Sequence, residues 1–511
     1  MSKNSQSRPC EAGVQGGIYV FGTGEADITS RLFVKGGGKL RSRRVRRRNP
    51  LISFILCFSL LALAGGFILA TGWPEKMADS SQGKTPVQSS GQVRARPARP
   101  VPTVHFSQQS PASVKPVLTW SKVEGAVAYE IRLFAENPVS TDKNSLRPVP
   151  FFTTNQIYVN GFNADLSRDF AGEYFYWQVR GLDIDGEPIG PFSEAEKVAI
   201  SRQVAALEKP TPTSIFNQRT GVTLLYPVYS WIPVAGADKY EIEILDELPE
   251  NPNGIAPSIH RIDAAVAEGF DYYDETPRIA EKPLYWRVRG LDQAGNPVGV
   301  YSDAGEFGAN PQSHMALATF GDSITHGGGG VSYSPADWEY SYQHYLDFPT
   351  INLGKSGDTS QTLVERFERD VLPFKPQYLL ILAGTNSLRG GVTAQSVIDD
   401  LKVLKEKCLA NGIEPVFLTL PPINPDNIKR IFNEETAPDW REQMQLVNDF
   451  IRTQEHIDVA KEMEYASGIL PTKLAVDGLH LDIKGKKKIA AVINANWARI
   501  AHSSRQSRNE G

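Results

Sequence analysis

One serine in this chain stands where a hydroxyl can become a nucleophile. The run 315–320 is apolar and stops abruptly at Gly321-Asp322-Ser323, with Gly327 just beyond. An apolar run that ends this way predicts a buried strand delivering Ser323 to the start of a helix. Unpaired N–H groups and the helix dipole favour negative charge there. A hydroxyl so placed can attack a carbonyl while its own N–H holds the resulting oxyanion. Three later blocks supply partners. The stretch 352–359, Asn-Leu-Gly-Lys-Ser-Gly-Asp-Thr, has glycines that let backbone approach a ligand, and Thr359 can cap the helix after it. Asn386 follows the apolar run 378–382, and an amide at a strand's carboxyl end can donate to an oxyanion. Asp477-Gly478-Leu479-His480 sets a carboxylate three residues ahead of an imidazole, which can orient it as a general base. His326 lies nearer Ser323 in sequence but lacks a carboxylate placed like Asp477, so it is the weaker base. Asp322 and Asp358 read as braces of turns.

These four blocks, in this order, resemble the SGNH (GDSL-type) hydrolase family over about residues 315–502. The resemblance implies an α/β, flavodoxin-like domain with a parallel sheet and ester hydrolysis that requires no metal or organic cofactor. It implies Ser323 as nucleophile, His480 as base and Asp477 as its orienting partner. Gly357 N–H and Asn386 Nδ2 are then oxyanion donors beside the Ser323 N–H. The family usually has proline directly after the histidine, whereas this chain has Leu481. That alters the turn into the last helix, with Asp482 as the expected cap, and removes no reacting group.

The elements that must position these groups are legible as alternating patterns. The short apolar runs 315–320, 377–382 and 414–420 predict buried parallel strands. Helical periodicity covers 359–374, 394–410, 439–454 and about 483–501, so each reacting block falls at a strand's carboxyl end or just before the last helix. Trp338, Tyr342 and Tyr345, at i, i+4, i+7, predict the buried face of the first helix. Lys484, Lys486, Lys487 and Lys488 predict a solvated start of the last one. Gly327 to Gly330 form either a mobile rim of the pocket or a flexible loop.

Upstream, residues 116–308 contain a duplication. Trp120 leads to Tyr129-Glu130-Ile131 as Trp231 leads to Tyr240-Glu241-Ile242, and Trp177-Gln178-Val179-Arg180 pairs with Trp286-Arg287-Val288-Arg289. Alternating apolar residues between Gly, Pro and Asn turns predict two antiparallel sandwiches, similar to fibronectin type III domains, at 115–204 and 210–309. The four tryptophans read as sandwich core; a sugar-stacking platform is the alternative. Residues 51–72 are apolar and uncharged after Arg41, Arg43, Arg44, Arg46, Arg47 and Arg48, about the 20 residues that cross a bilayer. The chain therefore divides into a basic cytoplasmic segment (1–49), a transmembrane signal anchor (50–73) and a Pro/Ser/Arg-rich linker (74–114). Two sandwiches, the hydrolase domain (314–503) and a flexible tail (504–511) follow. A cleaved signal is the alternative to the anchor. Of Cys10, Cys57 and Cys408, only Cys408 lies beyond the anchor, so no internal disulfide is expected there. A formal net charge of −4 gives no sign of nucleic acid binding.

Together these features predict a single-pass protein with a periplasmic or extracellular body, held in a bacterial inner membrane. Its expected substrates are short acyl esters, O-acetyl groups first, on an envelope or extracellular polysaccharide, or small esters. A lipid esterase or lysophospholipase, an acyltransferase to glycan and a non-catalytic glycan-binding protein are the alternatives.

Overall fold

The computed structural model describes residues 99–509, apart from 140–147, 169, 215, 217–222, 329–336 and 464–466. The cytoplasmic segment, the expected anchor and residues 74–98 of the expected linker lie outside the described residues. Among the described residues no helix is long and apolar enough to cross a membrane.

The linker reading extends too far. Residues 102–112 already belong to the first β region, through bridges Pro102–Trp120, Phe106–Val198 and Ala112–Ile200. Its main antiparallel sheet runs in the order Phe152–Ile157, Ala128–Phe134, Tyr174–Leu182, Glu196–Ala199. In Tyr174–Leu182 the side chains of Phe175, Trp177 and Val179 turn inward in strict alternation, as a half-buried strand requires. They meet Trp120 and Leu118 from the facing pair Val117–Thr119 and Gly161–Asn163.

The second β region repeats the plan. Lys239–Leu245 and Leu284–Leu291 centre a five-stranded sheet, and Val228–Ile232 centres a three-stranded one. Trp231, Trp286, Tyr229 and Ile242 are buried between them. All four repeat tryptophans are at most 1% exposed, so they are core and offer no face to a sugar ring.

The third region is a six-stranded sheet in which every pair is parallel. Its strands are β1 (Thr223–Leu224), β2 (Leu317–Gly321), β3 (Ile351–Asn352), β4 (Tyr378–Leu382), β5 (Glu414–Leu418) and β6 (His456–Ile457), in the order β6-β5-β4-β2-β3-β1. Strands β2 and β4 are buried along their whole length, which is why they read as continuous apolar runs rather than alternating ones. The edge strand β1 comes from within the second β region. Leu225 and Tyr226, just after it, join the apolar core of this third region.

The helices are α1 (Ser323–His326), α2 (Ser360–Asp370), α3 (Thr385–Arg389), α4 (Ala394–Ala410), α5 (Pro425–Phe432), α6 (Trp440–Arg452) and α7 (Ile483–Asn509). Helix α2 packs on α4, and α4 on α6. Thr359 caps α2 in a reciprocal capping box with Thr362. The residues expected on the first helix, Trp338, Tyr342 and Tyr345, are not in an α-helix. Among the described residues between Ser323 and β3 the α-helix is confined to the four residues of α1, and Trp338–Tyr340 and Tyr342–Tyr345 are separate 3-10 turns. Tyr342 is nonetheless fully buried, so the apolar spacing identified core residues while misassigning their backbone. Residues 504–509, expected as a tail, continue α7.

Candidate active site

Strand β2 ends against a crowded backbone. A Cβ on Gly321 would stand 2.4 Å from Leu382 O and 2.5 Å from Thr325 Oγ1, so only glycine lets the chain turn there. Asp322 caps α1, its Oδ1 accepting the Ile324 N–H at 2.9 Å. Ser323 follows as the first residue of α1 and is 8% exposed.

The chain brings Asp477 and His480 to that serine. His480 Nε2 is 2.8 Å from Ser323 Oγ, and Nδ1 is 2.7 Å from Asp477 Oδ2. A carboxylate only accepts, so Nδ1 carries the ring proton and Nε2 is left to accept from the serine hydroxyl. Asp477 is fully buried, and its Oδ1 accepts the N–H groups of Leu479 (2.8 Å) and His480 (2.7 Å). The turn between them needs Gly478, at φ 81°, where a Cβ would sit 2.4 Å from Asn424 O. Asn424 N–H in turn donates to Gly478 O at 2.8 Å, tying the histidine loop to the loop after β5.

Gly357 and Asn386 lie on adjoining turns. Asp358 N–H closes a turn onto Lys355 O at 3.3 Å, and Gly357 holds φ 87° within it, a conformation open to glycine. Lys355 N–H pins that turn to Gly321 O at 3.0 Å. Asn386 stands in the first turn of α3, and its Nδ2 donates to Asp358 O at 3.0 Å. The amide's second N–H remains to donate elsewhere. Asn352 locks both sides together: Oδ1 accepts Gly354 N–H (2.9 Å), while Nδ2 donates to Thr325 O (3.1 Å) and His326 O (2.9 Å). Asp358 braces its turn, as expected, through Arg366 and Thr362.

The lysine reading needs correction at one position. Lys484 and Lys487 are exposed, but Lys486 is fully buried beneath α1 and donates to Ile324 O at 2.8 Å. Burial pulls its ammonium pKa down to about 8, opposed by Asp322, Asp482 and Asp477. Burial also pushes the Asp322 carboxyl up to about 6 and the Asp482 carboxyl up to about 7. A signal for this was present: Lys486 falls on the same helical stripe as Ile483, Ile489 and Ile493, all of them buried. Asp482 does not cap α7 with its side chain. Its carbonyl accepts Lys486 N–H, but its carboxylate reaches back to Val476 N–H at 3.0 Å. Leu481, in place of proline, is fully buried.

The GDSL-like Lipase/Acylhydrolase family matches residues 319–488. That span is a GDSL-like lipase/acylhydrolase domain. Among curated proteins the chain is 28% identical to an uncharacterized lipoprotein of Bacillus subtilis (strain 168), YqeF, over 24% of this chain and 55% of that protein. The chain thus spans about half the length of that relative. Similar solved structures include a lipase/acylhydrolase from Enterococcus faecalis (22% identity, 36% of this chain and 95% of that one, TM-score 0.30). A GDSL-like lipase from Bacteroides thetaiotaomicron is 19% identical over 37% of this chain and 90% of that one, with TM-score 0.30.

Proposed function

We propose that this protein is a membrane-anchored serine esterase that removes short acyl groups, chiefly O-acetyl, from polysaccharide outside the membrane. The observation that carries the catalytic part is the unbroken chain of hydrogen bonds from Asp477 through His480 to Ser323 Oγ. In the proposed reaction His480 Nε2 takes the Ser323 proton as Oγ attacks the ester carbonyl. The oxyanion accepts from Ser323 N–H, Gly357 N–H and Asn386 Nδ2. His480 then protonates the leaving alcohol, and the acyl group rests on Ser323. Water attacks that acyl-enzyme, giving its proton to His480, and the carboxylic acid leaves with Ser323 restored. Asp477 accepts from Nδ1–H and so holds the imidazole in the tautomer whose Nε2 can accept. Loss of one oxyanion donor costs on the order of 10²–10³ in turnover.

The cellular part of the reading rests on segment order. An apolar stretch at 51–72 follows six arginines, and a proline- and arginine-rich tether leads to the body, which suits an anchor with its catalytic end held away from the bilayer. The two antiparallel β regions act in this reading as spacers reaching towards a glycan.

The test is hydrolysis of para-nitrophenyl acetate, butyrate and longer esters by the full chain in detergent, beside Ser323→Ala. Turnover confined to short acyl chains and abolished in the variant supports the reading. Preference for long chains replaces glycan by lipid as the substrate class. Undiminished turnover by Ser323→Ala overturns the assignment of the nucleophile.

A further inference from the structure

His326 is among the buried titratable side chains near the nucleophile that the proposed reaction leaves unused. His326 ends α1 and is 1% exposed. Its Nε2 is 2.6 Å from Tyr226 O and its Nδ1 is 2.8 Å from Ser356 Oγ. A backbone carbonyl only accepts, so Nε2 carries the proton. The neutral ring then offers Nδ1 as acceptor and Ser356 donates its hydroxyl. Burial pulls the His326 pKa down to about 4, opposed by the Tyr226 carbonyl and reinforced by Arg366, Lys486 and Lys355. The ring of Tyr273 packs 5.2 Å away. The imidazole is therefore neutral, held in one tautomer and bonded at both ends.

Those two ends belong to different parts of the chain. Ser356 sits in the turn 355–358, immediately before Gly357. Tyr226 lies outside the acylhydrolase span, in the stretch that follows β1. That stretch is firmly seated: Leu225 N–H donates to Asn352 O at 3.0 Å, Arg278 N–H donates to Leu225 O at 2.9 Å, and Tyr226 Oη donates to Asp370 at 2.6 Å. Its carbonyl is thus a fixed post, and His326 transmits that fixity to the turn bearing Gly357. Gly354, just before the turn, packs close against the end of α1, where a Cβ on it would stand 2.4 Å from His326 N.

We propose that His326 is a positioning residue that ties the oxyanion turn to Tyr226, making the second β region a working part of the esterase site. The inference rests on the reading of Ser323 as nucleophile and Gly357 as oxyanion donor. An oxyanion donor acts through preorganisation, and a displacement of about 1 Å can cost on the order of 10²-fold in rate. Removing the Ser356 hydroxyl frees one side of the turn while its backbone bonds to Gly321 and Asn386 remain.

The test uses the full chain in detergent with para-nitrophenyl acetate, comparing His326→Phe, Ser356→Ala, the double variant and Ser356→Thr. Each of the first two is expected to lower kcat about 10-fold with KM within about twofold. The double variant should lose no more than either single one, because both remove the same bond. Ser356→Thr, which keeps the hydroxyl, should recover most of kcat. Wild-type kcat in Ser356→Ala, or losses that multiply in the double variant, overturn the proposal. Should His326→Phe fail to fold, Ser356→Ala and its threonine rescue decide the matter alone. Ser323→Ala is assayed alongside. Its retained turnover would overturn the nucleophile, whereas wild-type Ser356→Ala beside inactive Ser323→Ala overturns only the role of His326.

Discussion

Replacing Asp482 by asparagine should stabilise the protein, and increasingly so as pH rises. Its carboxyl is pushed from 3.8 to about 7, chiefly by burial, with Asp477 adding to the shift and Val476 N–H, Lys486 and His480 opposing it. A folded-state pKa above the unfolded one means that the native protein holds the proton more tightly. The stability this contributes is complete below about pH 4 and is lost as pH climbs through 7. A gap of about 3 units corresponds to about 4 kcal/mol at most. The side chain keeps partial contact with solvent, which screens the effect, so about 2 kcal/mol is expected at pH 8. Asparagine never ionises and can still accept the Val476 N–H. Thermal unfolding at intervals from pH 4 to 8 reads the effect directly. Asp482→Asn should melt within a degree or two of wild type at pH 4 and about 4–8 °C above it at pH 8. A difference that stays constant across this range, or shrinks as pH rises, would refute the reasoning.

Other outcomes follow from particular contacts. Gly354→Ala drives a methyl group onto the His326 backbone and should cost about 1–3 kcal/mol in chemical denaturation; an unchanged midpoint would mean that the turn yields freely. Asn386→Ala should lower kcat on the order of 10²–10³ with little change in KM, and a loss confined to KM would contradict an oxyanion role. The Cys408 thiol is buried and pushed up to about 12 by burial. It should not react with a thiol reagent at pH 8 until the fold opens, and rapid labelling of this cysteine in the native protein would contradict its burial.

Much of the reacting chemistry was written locally. Ser323 after Gly321-Asp322, and Asp477 three residues before His480, are short-range patterns, although the crowding that demands their glycines comes largely from Leu382 and Asn424, which the fold brings up. Strands β2, β4 and β5 were legible because a strand covered on both faces must be apolar throughout, and α2, α4 and α6 because one apolar stripe repeats at helical period. The cores of the repeated β regions followed from alternation around Trp120, Trp177, Trp231 and Trp286.

What local pattern could not convey was which distant segments close on one another. Lys486 belongs to a run of lysines that looks solvated, and only packing of α7 beneath α1 turns it into a buried cation among three carboxylates. The residues 338–345 carry helical spacing, yet backbone form there is decided by the neighbours that Tyr342 packs against. Edge strand β1 is two residues long and has no signature, because its pairing partner Ile351–Asn352 lies far along the chain. Sequence alone determined which residues are candidates for the reacting groups, since that depends on residue type and short spacing. The tertiary structure alone decided that Tyr226 and His326 brace the turn bearing Gly357, since a hydrogen bond across 100 residues exists only once the chain has folded.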